Sequence, residues 1–397
     1  MYQFRSSHQA VRPGLGATSW QRSLHGKVNG GLAIAGGKVF VESFNRQVSA
    51  LDARTGRLIW STPLPDVAMT TPLVAAGLVV VGTGTNRVLV DRRGRTVWGR
   101  PGGDRILALN AQNGRIVWQR RTVGEDMPTA ALARTVGQLA IIGANGHDRI
   151  KALSLATGRT LWTRPTRGIA TMSSAAVTGG RLYVIVGGGP RSGEPAHLDI
   201  VALSDGRVVQ RAYHGNADCS PAVSDGLVAL EGAGWLPGKP ADQATYSTVS
   251  VVSARTGALR WRWRSQAGRW TTRGSNEQAV AGLIHRGTLY QAIPVLDEVR
   301  AFSVADGEPL WRLRTAAPVK MSAVVNRGRL YVGDTAGYFY MVDARSGHLI
   351  ARVHFPQIFT ISPPLIDGST LYVADDQTVY AIPLAKLRAM HGQGNVL

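Results

Sequence analysis

Two short stretches of this sequence hold most of the groups that could do chemistry. In the first, Arg273, Asn276 and Glu277 fall within five positions. A guanidinium, an amide and a carboxylate so close together can hold an anion, contact an ion, or pair as a plain salt bridge. In the second, Asp218 precedes Cys219, the one cysteine of the chain. An acid serving as general base beside an arginine-held anion is a workable catalytic pair. Asp218, Cys219 and Glu277 are therefore the catalytic candidates, with Arg273 and Asn276 as binding groups. A neighbouring acid does not lower a thiol pKa, and His214 is the one histidine close by in sequence. The plain reading of Cys219 is a small buried hydrophobe. Met69, Met127 and Met172 have the softness to ligate a metal, but adaptable apolar filler is the favoured reading, and no metal site is expected. Trp98, Trp235 and Trp270 lie near several arginines, the composition of an interaction hot spot.

What positions these groups is a repeat. A phrase of the form small-Leu-Asp/Asn/Ser-x-x-Thr-Gly-x-x-x-Trp returns every 40 to 58 residues and ends at Trp60, Trp118, Trp162, Trp261 and Trp311. Weaker copies run from Gly206 to Gln210 and from Gly347 to Ala351, where the tryptophan is lost and a looser unit is expected. One interval shows the contents. Ser173 to Val177 is a short strand of small residues. Gly180 opens the run Arg181-Leu182-Tyr183-Val184-Ile185-Val186, Asp199 to Leu203 is a third apolar run, and a strand follows the turn Asp205-Gly206. Four strands per 40–50 residues, without helical periodicity, predict the blades of a β-propeller.

Eight copies are present, the last lacking an outer strand, while the segment around Trp20 is an outer strand without a blade. The fold class is therefore all-β: an eight-bladed propeller of four-stranded antiparallel blades, the ring closed by the N-terminal strand completing the last blade. Closure hides strand edges. The propeller is expected over 17–389, with tails at 1–16 and 390–397. Aligning the innermost strands gives one ring position, Gly31, Thr71, Thr129, Ser174, Ser220, Glu277, Ser322 and Ser362. Two residues earlier lie the three methionines, Asp218 and Lys320. Insertions at 84–104, 187–198 and 233–247 are expected on that same end, the first as an extra hairpin turning at Asp91 to Gly94, the others as loops carrying His197 and Trp235.

The stretch Ala50-Leu51-Asp52-Ala53-Arg54-Thr55-Gly56-Arg57-Leu58-Ile59-Trp60 resembles the tryptophan-docking repeat of the pyrroloquinoline-quinone (PQQ) propellers. The resemblance covers nearly the whole chain. That superfamily holds quinoprotein dehydrogenases, scaffold proteins of the BamB type and tetrathionate hydrolases, so it implies a fold more than an activity. Quinoprotein dehydrogenases of the superfamily carry a vicinal cysteine pair, and their haem-bearing members a Cys-x-x-Cys-His motif. This chain has one cysteine, so PQQ and calcium are disfavoured as cofactors, and none is expected.

Charge and composition supply the rest. The 45 Lys and Arg against 25 Asp and Glu give a formal +20. Many arginines fall on outer strands, as in Trp261-Arg262-Trp263-Arg264, where cations guard exposed edges; a low carboxylate content also suits an acidic milieu. No specific nucleic-acid signal and no run long enough to span a membrane is found. The favoured reading is a non-redox binding or scaffold propeller that holds a protein partner at its loop-rich channel face. An anion-processing enzyme similar to tetrathionate hydrolases is the alternative, a quinoprotein dehydrogenase a weaker one. The superfamily resemblance implies a periplasmic or secreted mature chain, with a cytoplasmic protein as the alternative.

Overall fold

Eight four-stranded antiparallel sheets stand around one axis in the computed structural model. It describes residues 19–68, 70–84, 89–90, 96–98, 103–122, 130–144, 149–166, 174–187, 196–213, 219–235, 245–267 and 280–389. Blade 1 comprises Ala33–Ala35, Lys38–Ser43, Gln47–Asp52 and Leu58–Pro63, numbered from the axis outward. Blades 2 to 7 repeat this meander, ending in outer strands Ile116–Arg121, Thr160–Pro165, Val208–Tyr213, Leu259–Arg264, Pro309–Arg314 and Leu349–His354. Blade 8 takes Leu365–Asp367, Thr370–Ala374 and Thr378–Pro383 from the C-terminal end, and Trp20–Ser23 from the other. Trp20 pairs with Ala381 and Ser23 with Thr378, the closure that the orphan N-terminal strand predicts.

Burial follows strand position. Second strands lie between neighbouring blades and are apolar on both faces; in Arg181–Val186 every residue after the arginine is buried. Outer strands face water on one side and alternate. Trp261 is buried while Arg260, Arg262 and Arg264 are exposed. The tryptophans join one blade to the next. Trp60, Trp118, Trp261 and Trp311 each donate their indole N–H to a carbonyl of the following blade, at Ala111, Leu155, Val304 and Ala344, over 2.8–3.2 Å. Trp20 does the same to Ala53 across the closure. Each indole covers the turn glycine of the next blade. Gly158 has φ +65, and a Cβ there would stand 2.5 Å from Cε3 of Trp118. Glycine is required at that turn both for its backbone and for the space above it.

The two copies without tryptophan are not loose. Beside Gln210 the carbonyl of Ala254, which an indole would otherwise reach, accepts from the Tyr183 hydroxyl at 3.1 Å and from Arg181 at 3.3 Å. Gly257 rests on Ala212 and Gln210 instead of a ring. Ala351 lies in the same core as Leu387 of the short helix Leu384–Ala389, both 1% exposed. That helix follows the last strand where other blades make a turn, so no glycine is present for an indole to cover. The helix has too little periodic sequence to be read in advance.

A four-stranded meander returns its connections alternately. The second-to-third-strand connections therefore leave at one end of the propeller, called the loop face. The first-to-second and third-to-fourth turns leave at the other, the turn face. The insertions at 84–104, 187–198 and 233–247 all join second to third strands. The first contains the expected hairpin, Leu89–Val90 paired with Thr96–Trp98. The others differ from the loops expected. Residues 227–235 and 245–253 are nine-residue strands, with Trp235 opposite Thr245. His197 opens the strand His197–Ala202 and is buried. Longer pairing satisfies backbone groups that a loop would leave to water.

Gly179 provides an internal comparison for the docking turns, because it has φ +54 and open space where a Cβ would stand. Gly179→Ala should cost the left-handed backbone strain alone, about 1–2 kcal/mol. Gly158→Ala should cost a further 1–3 kcal/mol, roughly, for displacing the Trp118 ring. Thermal midpoints of the two variants compare these effects directly, and equal shifts would show that the indole contact contributes nothing.

Candidate functional site

The innermost ring is where the sequence places most candidate groups, and several of its described members hold one another, while the buried Ser362 hydroxyl has no hydrogen-bond partner among the described residues. The Gly31 N–H donates to Oγ1 of Thr71 at 3.0 Å, joining blades 1 and 2. The Ser174 N–H donates to Oγ of Ser220 at 2.9 Å, joining blades 4 and 5. Thr360 donates to the carbonyl of Val28 at 3.0 Å, joining blades 8 and 1. The expected alignment of Gly31, Thr71, Ser174 and Ser220 is thus a real ring, and its hydroxyls are interblade links.

Two buried carboxyl groups, absent from the sequence-based candidates, extend this pattern. Glu42 and Glu231 each stand five residues after the glycine that opens the second strand, Gly37 and Gly226. They belong to blades 1 and 5, four apart in a ring of eight, and so lie on opposite sides of the axis. Thr70 donates to both oxygens of Glu42, at 2.9 and 3.0 Å. Glu231 Oε2 accepts from the Val280 N–H at 2.7 Å and from Gln291 at 3.1 Å. In each case a second strand reaches the segment entering the next blade's innermost strand. This contact also fixes those entry segments at the loop face. Burial pushes the Glu42 carboxyl well above its ordinary value, with the Thr70 hydrogen bonds opposing it. Burial pushes Glu231 up to about 8 against the bonds from Val280, Ser247 and Gln291. The signal was present in the sequence as a lone Glu inside an apolar run, Val39-Phe40-Val41-Glu42 and Val228-Ala229-Leu230-Glu231.

Cys219 sits directly against this group. It is 1% exposed, and its Sγ accepts the Glu231 N–H at 3.3 Å. Asp334 and Asp375 stand just past the ends of the second strands in blades 7 and 8. Each accepts a tyrosine hydroxyl, from Tyr340 at 2.7 Å and Tyr380 at 2.8 Å. Burial raises both carboxyls. Lys320, at 9% exposed, is buried at its ring position. Asp218, Arg273, Asn276, Glu277, Met69, Met127, Met172 and Trp270 lie outside the described residues. Trp98 and Trp235 are placed by their strands on second-to-third connections at the loop face. Among the described residues no three His, Cys, Asp or Glu side chains are grouped to hold a metal ion. No described helix is long and apolar enough to cross a membrane.

A family model described as outer membrane protein assembly factor BamB matches residues 6–165 and 296–391, well over half of the sequence. The chain belongs to this family. Over 88% of its length it is 27% identical to BamB of Escherichia coli, spanning 83% of that protein. It is also 27% identical, over 89% of its length, to the tetrathionate hydrolase of Acidithiobacillus ferrooxidans, spanning 72% of it. The crystal structure of BamB from Moraxella catarrhalis superposes with a TM-score of 0.63 at 16% identity, covering 92% of this chain and 97% of that one. This last likeness is one of fold.

The Glu231 carboxyl gives a pH prediction with a definite sign. Its folded value lies above the ordinary 4.5, so the native state binds the extra proton. The associated stability is complete below about pH 4.5 and is lost as pH rises through about 8. A tenfold difference in proton affinity is equivalent to about 1.4 kcal/mol. Wild-type stability should therefore fall by on the order of a few kcal/mol between pH 5 and pH 8. Glu231→Gln, which keeps an acceptor for Val280 without a charge, should flatten that fall. Thermal midpoints across this range provide the check; parallel curves would mean that Glu231 does not hold the proton.

Proposed function

We propose that this chain is a binding propeller that holds a protein partner at its loop face, in an extracytoplasmic compartment. One observation carries the reading. At the inner ends of the blades, several described polar groups that could have served a substrate join neighbouring blades instead. Glu42 takes Thr70, Glu231 takes Val280 and Gln291, and Ser220 takes the Ser174 N–H. Such a ring makes a stiff platform, and the three long insertions rise from the same end of it. Rigid scaffolds with long loops are where recognition concentrates. Membership of a family described as outer membrane protein assembly factor BamB supports both the role and the compartment. The single cysteine, buried beside Glu231, disfavours PQQ with calcium.

Anion processing is the second reading. It is favoured by the likeness to a tetrathionate hydrolase along 89% of the chain, and it would use Asp218 or Glu277 as base and Arg273 as anion holder. Two measurements on the full-length protein separate the readings. Photo-crosslinking amino acids at positions 98 and 235 should join the chain to one protein in cells of its source, whereas the same groups at positions 57 and 115, on the turn face, should not. Tetrathionate, thiosulfate and PQQ with calcium should produce no saturable rise in thermal midpoint at fixed ionic strength. A saturable rise with tetrathionate, accompanied by its hydrolysis and abolished by Glu277→Ala or Asp218→Ala, would overturn the binding reading in favour of the enzyme.

A further inference from the structure

The turn face carries charge in a pattern that neither the fold nor partner binding at the loop face requires. Each third-to-fourth-strand turn contains a glycine under the preceding blade's outer strand. The residue just after that glycine is Arg57, Arg115, Arg159 and Arg207 in blades 1 to 4. In blades 5, 6 and 7 the same position holds Ala258, Glu308 and His348, and blade 8 has the helix in place of the turn. All four arginines are exposed. Among the described residues none of them forms an ion pair with a carboxylate.

The acids of this face are weighted the opposite way. Blades 1 to 4 have Asp52 and Asp205, and both carboxylates are turned into their own turns. Asp52 accepts from the Arg54 and Thr55 N–H groups, and Asp205 from the Arg207 N–H. Asp225, Asp306, Glu308, Asp343 and Asp367 all belong to blades 5 to 8. Asp306 and Asp343 are turned into their own turns in the same way, so the difference between the halves is one of number, five acids in blades 5 to 8 against two in blades 1 to 4. Exposed apolar side chains mark several of these turns. Leu58 directly follows Arg57 and is 37% exposed, and Ile116 and Val117 follow Arg115 at 44% and 52%. Leu259 and Leu310, in blades 5 and 6, stand equally exposed. Exposed aliphatic side chains therefore stand in both halves, at blades 1, 2, 5 and 6, and in blades 1 and 2 they directly follow the register arginines.

We propose that the half of the turn face formed by blades 1 to 4 docks on an anionic phospholipid bilayer. Three features select this occupant. The four arginines occupy one register in four consecutive blades, so they lie along an arc at one height. An arc of equal-height cations fits a plane of phosphates better than it fits a single phosphate, which needs convergent donors, or a linear polyanion, which needs a stripe. Guanidinium groups bind phosphate oxygens bidentately. Leu58, Ile116 and Val117 then enter the interfacial region below the headgroups, where amphipathic surfaces gain from both charge and apolar area. The loop face points away from the bilayer in this orientation, so the proposal stands independently of what that face binds.

The test is co-sedimentation of the full-length protein with vesicles. Wild-type protein should sediment with vesicles containing phosphatidylglycerol and remain in solution with phosphatidylcholine alone. The variant Arg57→Ser/Arg115→Ser/Arg159→Ser/Arg207→Ser should lose binding at least tenfold with an unchanged thermal midpoint. A control of equal net charge, Arg121→Ser/Arg164→Ser/Arg312→Ser/Arg314→Ser, removes exposed outer-strand arginines away from this face and should keep binding within about threefold. Leu58→Ser/Ile116→Ser should weaken binding without altering its salt dependence. Equal loss in both quadruple variants would mean that a +20 protein adheres to any anionic surface, and would overturn the proposal. Full binding by the first variant would overturn it as well. Displacement by inorganic phosphate beyond that caused by chloride at the same ionic strength would assign a free-phosphate site and exclude a membrane surface.

Discussion

An indole laid over the next blade's turn glycine is the contact on which the rest of this molecule depends. A four-stranded blade cannot bury both of its faces alone, and the ring gives each blade two neighbours. What sets the angle between neighbours is a hydrogen bond from the indole N–H together with the flat contact of the ring on Gly56, Gly114, Gly158, Gly206, Gly307 or Gly347. Both parts are directional, unlike apolar burial, which tolerates sliding. The junction at Gly257 shows what is essential. The ring is gone, yet the carbonyl of Ala254 still accepts the Tyr183 hydroxyl, as Ala344 and Ala53 accept Tyr290 and Tyr372 beside their indoles. The indole donor is lost and the tyrosine donor remains.

Much of this was legible from spacing. The phrase ending in tryptophan yields the blade count, the outer strand and the order of the ring, because each of its residues is required by a local contact. The ring position at Gly31, Thr71, Ser174 and Ser220 also follows from alignment, since a crowded axis selects small side chains. Other features were not legible. Gln210 and Ala351 read as gaps because the contacts that hold those junctions, from Tyr183 on another strand and Leu387 on a helix, lie outside the phrase that ends in tryptophan. Glu42 and Glu231 were passed over because they sit inside apolar runs that read as plain core. Their significance comes from Thr70, Val280 and Gln291, contributed by the following blade. His197 and Trp235 stand in segments of loop-like composition, and extended strand pairing draws them into regular structure.

The acid and base content of the chain acquires a structural meaning from these placements. Several of its few carboxyl groups are buried near the loop face, where burial favours the protonated form: Glu42, Glu231, Asp334 and Asp375. Carboxyls in exposed turns are lowered instead, as at Asp52 and Asp343, by hydrogen bonds from the side chains of Thr55 and Ser346. Protonation in acid thus relieves buried negative charge at these four groups, while it weakens the solvated turns and the ion pairs of Asp199 with Arg211 and Glu298 with Arg300. The arginines remain charged throughout, so the turn face keeps its asymmetry across the whole range.

Closure by Trp20–Ser23 also has a consequence in time. Trp20 pairs with Ala381, a contact that spans nearly the entire chain. Every other strand pair is local to its blade, so blades 1 to 7 can form in order as the polypeptide emerges. The eighth cannot, because its outer strand precedes blade 1 and its inner three follow blade 7. Until those three strands are made, Trp20–Ser23 has no partner, and blade 1 presents an uncovered flank. Long-range pairing of this kind is slow, and an open edge invites association with other chains. The pairing of Trp20–Ser23 with the last strand therefore acts as the latch of the ring, and the interval before it engages is the part of the molecule's life in which it is most open to misassembly.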